Sequence, residues 1–221
     1  MKLELLSVGS LVIDKINGTK CFGGSGANVA VDAHLLGLNT ALLTSVAQDS
    51  LGQLYIRHLQ ELGIKLYPLN SVQNASTICE FFITEDGVTI DGDWLDNGLE
   101  QTFGSEVPER DLVLSAQVVH LGTCVPSFAF SVSKMLSHKQ VLSYNPGGWI
   151  ETDFNYFIQT HPQANIVILN KKEMAFVQNQ GYVRDPKELI LRDDQTAVVT
   201  RGVEGTSLYT NNASYTVEPF L

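Results

Sequence analysis

Short apolar runs alternate with amphipathic stretches along most of this chain. Residues 3–8, 40–47, 118–122, 140–144, 164–169 and 197–200 are apolar or β-branched over strand length, and each predicts a buried strand. Between them, residues 24–37, 50–62, 126–137, 151–160 and 171–178 predict helices. A further helix is expected over 186–191, with Asp185 as its cap and Pro186 in its first turn. In the first helix Ala27, Ala30, Val31, Leu35 and Leu36 supply an apolar side to set against a sheet, and Gly37 closes it. Strands separated by helices of this length imply a mostly parallel sheet covered on both faces.

Hairpins interrupt the alternation. Asn17-Gly18 is a tight-turn dipeptide within a segment about 12–22. Residues 77–84 and 88–90, around Glu85-Asp86-Gly87, predict a β-flap over about 76–91, and Trp94, Leu95 and Leu99 then read as anchors of a polar loop. Residues 206–209 and 214–217 predict a hairpin around Asn211-Asn212. With no repeat, low-complexity tract or linker, residues 1–221 read as one α/β unit carrying a small lid.

Composition narrows the classes. Hydrophobic residues make up 44% and charged residues 17%, as in an ordinary globular protein. The formal net charge of −10 argues against nucleic acid and against anionic membrane surfaces as partners. No apolar run approaches the roughly 20 residues that span a bilayer, and the N-terminus lacks the pattern of a signal peptide. Cys21, Cys79 and Cys124 have no metal-ligand spacing and suit a reducing, cytoplasmic setting.

The candidate chemistry centres on Phe22-Gly23-Gly24-Ser25-Gly26-Ala27-Asn28, a glycine-rich loop running into the first helix. Glycines let backbone approach a ligand closely, and a helix start presents unpaired N–H groups. Asn28 is an amide in the first turn, where core packing gives it no purpose. Asp14 follows Leu11-Val12-Ile13 at a strand end, where open α/β sheets place ligand contacts. One reading is a dinucleotide fingerprint, with Asp49 as the ribose-binding acid of an NAD-dependent oxidoreductase. Val29 stands where the third glycine belongs, which counts against it. A P-loop is excluded because no Gly-Lys-Ser/Thr follows. A glycine turn without ligand is the plainest alternative.

A wider set of motifs favours another reading. Gly23-Gly24-Ser25-Gly26-Ala27-Asn28-Val29-Ala30, Leu36-Gly37 and Val46-Ala47-Gln48-Asp49-Ser50-Leu51-Gly52 resemble the N-terminal signature of the ribokinase-like (PfkB) carbohydrate and nucleoside kinases. Gly9 to Asp14, Asn145-Pro146-Gly147, Asn170-Lys171-Lys172-Glu173 and Thr200-Arg201-Gly202-Val203-Glu204-Gly205 resemble further family segments in the same order. The resemblance implies a three-layer α/β/α ribokinase-like sandwich. It also implies an ATP-dependent phosphotransferase acting on a hydroxymethyl group of a sugar or nucleoside. Under it Asp14, Gly24, Ser25 and Asn28 hold the acceptor, Asn170, Thr200, Gly202 and Gly205 line ATP, and Glu173 positions Mg²⁺.

This chain departs from the family pattern in two ways. Only residues 15–22 separate the first aspartate from the glycine loop, so the lid is expected to shrink to one hairpin and a stub. The family's Gly-Ala-Gly-Asp, whose aspartate is the general base, does not occur, so no catalytic residue is assigned. The expectation is therefore a kinase domain incomplete at its C-terminus and inactive or nearly so by itself. A homodimer or another partner would cover the truncated side. The alternative is a non-catalytic ligand-binding or partner subunit derived from such a kinase.

Overall fold

A computed structural model of the protein describes residues 2–73, 75–84, 89–95 and 110–219. In chain order the first half runs β1 (Leu3–Val8), β2 (Val12–Ile16), β3 (Thr19–Gly23), α1 (Ser25–Leu35), β4 (Thr40–Ala47) and α2 (Ser50–Glu61). Next come β5 (Lys65–Gln73), β6 (Ile78–Ile83), β7 (Thr89–Leu95), α3 (Arg110–Ser115) and β8 (Ala116–Leu121). The remainder is α4 (Pro126–Ser133), β9 (Val141–Tyr144), α5 (Trp149–Thr152), α6 (Phe154–Thr160), β10 (Ile166–Asn170) and α7 (Lys171–Asn179). It closes with β11 (Thr196–Thr200), β12 (Thr206–Tyr209) and β13 (Ser214–Val217).

Nine strands form the main sheet, in the order β13-β12-β11-β10-β9-β8-β1-β4-β5. From β11 to β5 every pairing is parallel, and β12 and β13 add an antiparallel edge. The expected α/β architecture is present. Strand alternation divides the sheet's side chains between two cores. Leu6, Val119, Leu142, Leu169, Phe128 and Phe157 share one, under α4, α6 and α7. Leu42, Ala27, Ala30, Tyr55 and Leu59 share the other, under α1 and α2.

Several elements differ from expectation. In α1 the buried residues are Gly26, Ala27, Ala30 and Ala33, whereas Leu35 and Leu36 are 69% and 84% exposed. The smallest side chains face the sheet because the helix backbone lies almost against it. The helix expected over 151–160 breaks at Asp153, whose φ of −143° is not helical, into α5 and α6. The helix expected over 186–191 is one 3₁₀ turn, Pro186–Leu189, with the Asp185 carboxylate accepting from Lys187 N–H as foreseen.

The lid is larger than one hairpin and a stub. A two-residue turn with Asn17 at φ 47° and Gly18 at φ 83° joins β2 and β3 in register from Val12↔Gly23 to Ile16↔Thr19. Strand β2 then pairs in parallel with β6, and β6 pairs with β7, giving a four-stranded sheet β3-β2-β6-β7. Leu95 is the end of β7, opposite Ile78, and not part of a loop. The Glu85-Asp86-Gly87 turn and Leu99 lie outside the described residues.

Candidate functional site

Glycines let three backbone segments meet where β1 ends. A Cβ on Gly26 would lie 2.6 Å from the Gly9 Cα, so the first turn of α1 rests directly on the chain leaving β1. Gly24 has a φ of 102°, and a Cβ there would sit 2.3 Å from the Ser10 carbonyl oxygen. At Gly23 a Cβ would fall 1.9 Å from Asp14 Oδ2, so glycine leaves that carboxylate where it stands and a side chain would displace it. Behind the loop, the Tyr55 hydroxyl donates to the Gly23 carbonyl (2.7 Å), and Phe22 stacks on Tyr55 at 4.3 Å between centroids.

A second set of bonds ties in the segment after β8. Ser25 Oγ accepts from the Thr123 N–H (2.7 Å), and Ser10 N–H donates to the Thr123 carbonyl (3.1 Å). Ser7 Oγ donates to the Gly26 carbonyl (2.7 Å) from within the sheet. Below them His120 Nδ1 and Ser143 Oγ lie 3.0 Å apart, and burial pushes the imidazole down to about 4, which keeps it neutral.

These elements enclose a cavity of about 570 Å³, a size typical of small-molecule sites. Asp14, Gly24, Ser25 and Asn28 all line it, together with Thr123 and Trp149. The lid closes one side with Val12, Cys79 and Phe81. Asp14 stands on β2 between Cys21 of β3 and Cys79 of β6. Its carboxylate is half-buried, burial raises it above the usual carboxylate range, and no side-chain hydrogen bond among the described residues reaches it. It is a desolvated acceptor facing a cavity.

Sequence reasoning missed Cys79, Phe81, Thr123 and Trp149. Trp149 carried a signal, since it follows Asn145-Pro146-Gly147 at a strand end. Gly147, at φ 61°, leaves the space that the Thr123 hydroxyl occupies, where a Cβ would come within 2.4 Å.

The other predicted residues gather elsewhere on the same strand edge. Asn170 and Thr200 end β10 and β11 and are register partners. Asn170 and Glu173 form a capping box at the start of α7. Glu173 N–H donates to Asn170 Oδ1 (2.8 Å), while the Glu173 carboxylate accepts from the Asn170 N–H and side-chain amide, each at 2.9 Å. Glu173 is buried, which raises its carboxyl despite the bond from the Asn170 N–H. Gly202 (φ 56°) and Gly205 (φ 84°) bound a 3₁₀ turn closed by the Arg201 N–H to the Gly205 carbonyl (2.8 Å). None of these five residues lines the cavity around Asp14.

Asp49 is committed to structure. It caps α2 by accepting from the Gly52 N–H (2.8 Å), and it also accepts from the Ser76 N–H (2.8 Å) and hydroxyl (2.7 Å) at the base of the lid. Burial alone would raise its carboxyl, but these bonds and the Lys20 charge bring it below the usual range. The ribose-binding role that an NAD reading requires of it is thereby taken. Among the described residues no three His, Cys, Asp or Glu side chains converge as a metal cage, and no helix is long and apolar enough to cross a membrane.

Known proteins place this geometry in context. The chain is 25% identical over 197 residues to the ATP-dependent ribose-1-phosphate kinase of Halopiger xanaduensis, covering 87% of this chain and 64% of that one. It is 24% identical to the nucleoside kinase of Methanocaldococcus jannaschii, covering 87% and 62%. It thus spans less than two thirds of the length of these curated relatives. The crystal structure of the M. jannaschii nucleoside kinase superposes with a TM-score of 0.80 at 22% identity, covering 98% of this chain and 76% of that one. The nucleoside kinase of Burkholderia thailandensis, solved in complex with inosine, gives 0.80 at 15% identity, covering 97% and 75%. The model of the pfkB family carbohydrate kinases matches residues 2–221, and the chain belongs to that family.

Proposed function

We propose that this chain forms the acceptor-binding part of an ATP-dependent phosphotransferase acting on a hydroxymethyl group of a nucleoside or sugar. The observation that carries this reading is the Asp14 carboxylate, which faces a glycine-walled cavity without a protein donor. Such a group accepts hydrogen bonds from a polyol, and its desolvation strengthens each one. Asn28 offers a donor and an acceptor to a neighbouring hydroxyl, and Gly24 leaves room for the sugar ring. Phe81 and Trp149 add aromatic surface to the same cavity, which favours an acceptor bearing a flat base. The nucleoside kinases of M. jannaschii and B. thailandensis, among the similar proteins, agree with that preference.

ATP would lie along the ends of β10 and β11, against Asn170, Thr200, Gly202 and Gly205. Glu173 offers one buried carboxylate already holding two Asn170 donors. That donor set fits Mg²⁺ retaining its own waters, and does not fit a caged ion. Bound there with ATP, the ion would offset phosphate charge during transfer. The sequence contains no Gly-Ala-Gly-Asp, and Asp14 and Asp49 have other tasks, the first in binding and the second in capping α2. The chain alone therefore binds its acceptor without turning it over, in a cytoplasmic setting that Cys21, Cys79 and Cys124, none of them in a disulfide, suit.

Calorimetry with a panel of nucleosides and sugars, paired with an ADP-release assay, tests both halves of this reading. Saturable acceptor binding that Asp14→Asn weakens, with no ADP release, is the expected result. Failure to bind any member of the panel removes the acceptor reading. Sustained acceptor-dependent ADP release overturns the inactivity of the chain alone.

A further inference from the structure

Tyr55 stands behind the glycine loop, on the buried side of α2. It is 3% exposed and shares its core with Leu11, Ile13, Ala27, Leu42 and Leu59. Packing in such a core asks only for a ring, and phenylalanine would supply one without a hydroxyl to desolvate. The Tyr55 hydroxyl instead donates to the Gly23 carbonyl at 2.7 Å. Burial, and next the charge of Asp14, push the phenol up, so it keeps its proton and stays a donor.

Gly23 connects that hydroxyl to the cavity in two ways. Its carbonyl and the Gly24 N–H belong to one trans peptide, so the bond from Tyr55 turns that N–H away from α2. The Asp14 carboxylate also rests against Gly23, where a Cβ would come within 1.9 Å of Oδ2. Phe22, one residue earlier, stacks on Tyr55 and on His58 at 4.3 and 4.9 Å between centroids, so rings and hydroxyl together hold the end of β3 to α2. Asp14 and Gly24 line the cavity, whereas Tyr55 does not. The other titratable groups flanking Asp14 are Cys21 on β3 and Cys79 on β6. Lys15 and Lys20, one position along, lie on the opposite face of the lid, where Lys15 pairs with Glu80 at 2.7 Å.

We propose that Tyr55 is a positioning residue for the cavity: its hydroxyl fixes the Gly23–Gly24 peptide, and through it the seat of the Asp14 carboxylate. Without the hydroxyl the buried Gly23 carbonyl loses this donor and the peptide can turn. Water then reaches a carboxylate that burial now holds above the ordinary range. The consequence for affinity rests on the acceptor reading of the cavity, whereas the consequence for Asp14 itself does not.

The test is Tyr55→Phe in the full 221-residue chain, a change that keeps the ring and its packing. Leu59→Val, which trims the same core one turn along α2, is the control. Carbon-13 NMR of the Asp14 side-chain carboxyl follows its titration, and calorimetry with inosine follows binding. Tyr55→Phe should move the Asp14 titration down toward the ordinary 3.8. It should also weaken inosine binding about 5-fold, while Leu59→Val changes neither. An Asp14 titration unmoved by Tyr55→Phe, an equal shift in Leu59→Val, or inosine affinity that survives a shifted titration overturns the proposal. A lack of inosine binding by the unmodified chain counts against the function reading, and the titration alone then decides this one.

Discussion

Gly23, Gly24 and Gly26 at the Asp14 cavity and Gly202 at the end of β11 occupy one edge of one sheet under different demands. The first three are enforced by neighbours, since any Cβ would strike Asp14, Ser10 or Gly9 within 1.9 to 2.6 Å. Gly202 has a φ of 56°, but nothing lies within 4 Å of where its Cβ would be. The Asp14 end is thus assembled from contacts inside these residues. The far end is mixed, since Gly202 is held by its conformation alone whereas a Cβ on Gly205 would sit 2.1 Å from the Val217 carbonyl oxygen.

The comparison breaks most visibly by substitution. Gly24→Ala combines a backbone clash with a left-handed conformation and is expected to cost roughly 3 kcal/mol or more. Gly202→Ala meets only the conformational strain, on the order of 1 kcal/mol. Urea unfolding of the two variants measures the gap, and equal losses would remove the distinction.

Asp14→Asn sharpens it chemically. Losing a charge-assisted acceptor should weaken acceptor binding by about 10- to 100-fold, read by calorimetry. Acidity gives the same residue two opposite slopes. Its folded carboxyl titrates above the ordinary 3.8, so the folded state holds the proton more tightly than the unfolded one. Stability then falls as pH rises through that window, while acceptor affinity rises as the carboxylate forms. Asp14→Asn should flatten both slopes. Matched slopes in the variant would show that another group titrates.

The smallest effect belongs to the far end. Glu173→Gln keeps the shape of the capping box but weakens the two bonds from Asn170, for an expected loss of about 1 kcal/mol in thermal unfolding. Acceptor binding should be unchanged, because Glu173 does not line that cavity.

Much of this was legible in the chain. The apolar runs located six strands of the main sheet, β1, β4 and β8 to β11, and the glycine loop with Asp14 and Asn28 named one wall of the cavity. The opposite wall was not legible, because Cys79 and Phe81 reach it only through the parallel pairing of β6 with β2, a long-range choice without local pattern. Thr123 was hidden for a similar reason, since its place depends on bonds to Ser10 and Ser25 from distant segments. Leu35 and Leu36 misled because helical apolarity was read by residue type, whereas α1 approaches the sheet through glycine and alanine. The extent of the lid was underestimated because a hairpin of minimal turn still supplies two full strands.

The contact between Asp14 and Gly23 limits how this pocket can diversify. A side chain at Gly23 would have to displace the Asp14 carboxylate, and Gly24 and Gly26 are locked by backbone, so the loop offers few positions at which selectivity could drift. Variation must enter from the facing side, where Cys79, Phe81 and Trp149 line the cavity. A library aimed at new acceptors would leave residues 23–26 untouched and randomise those three.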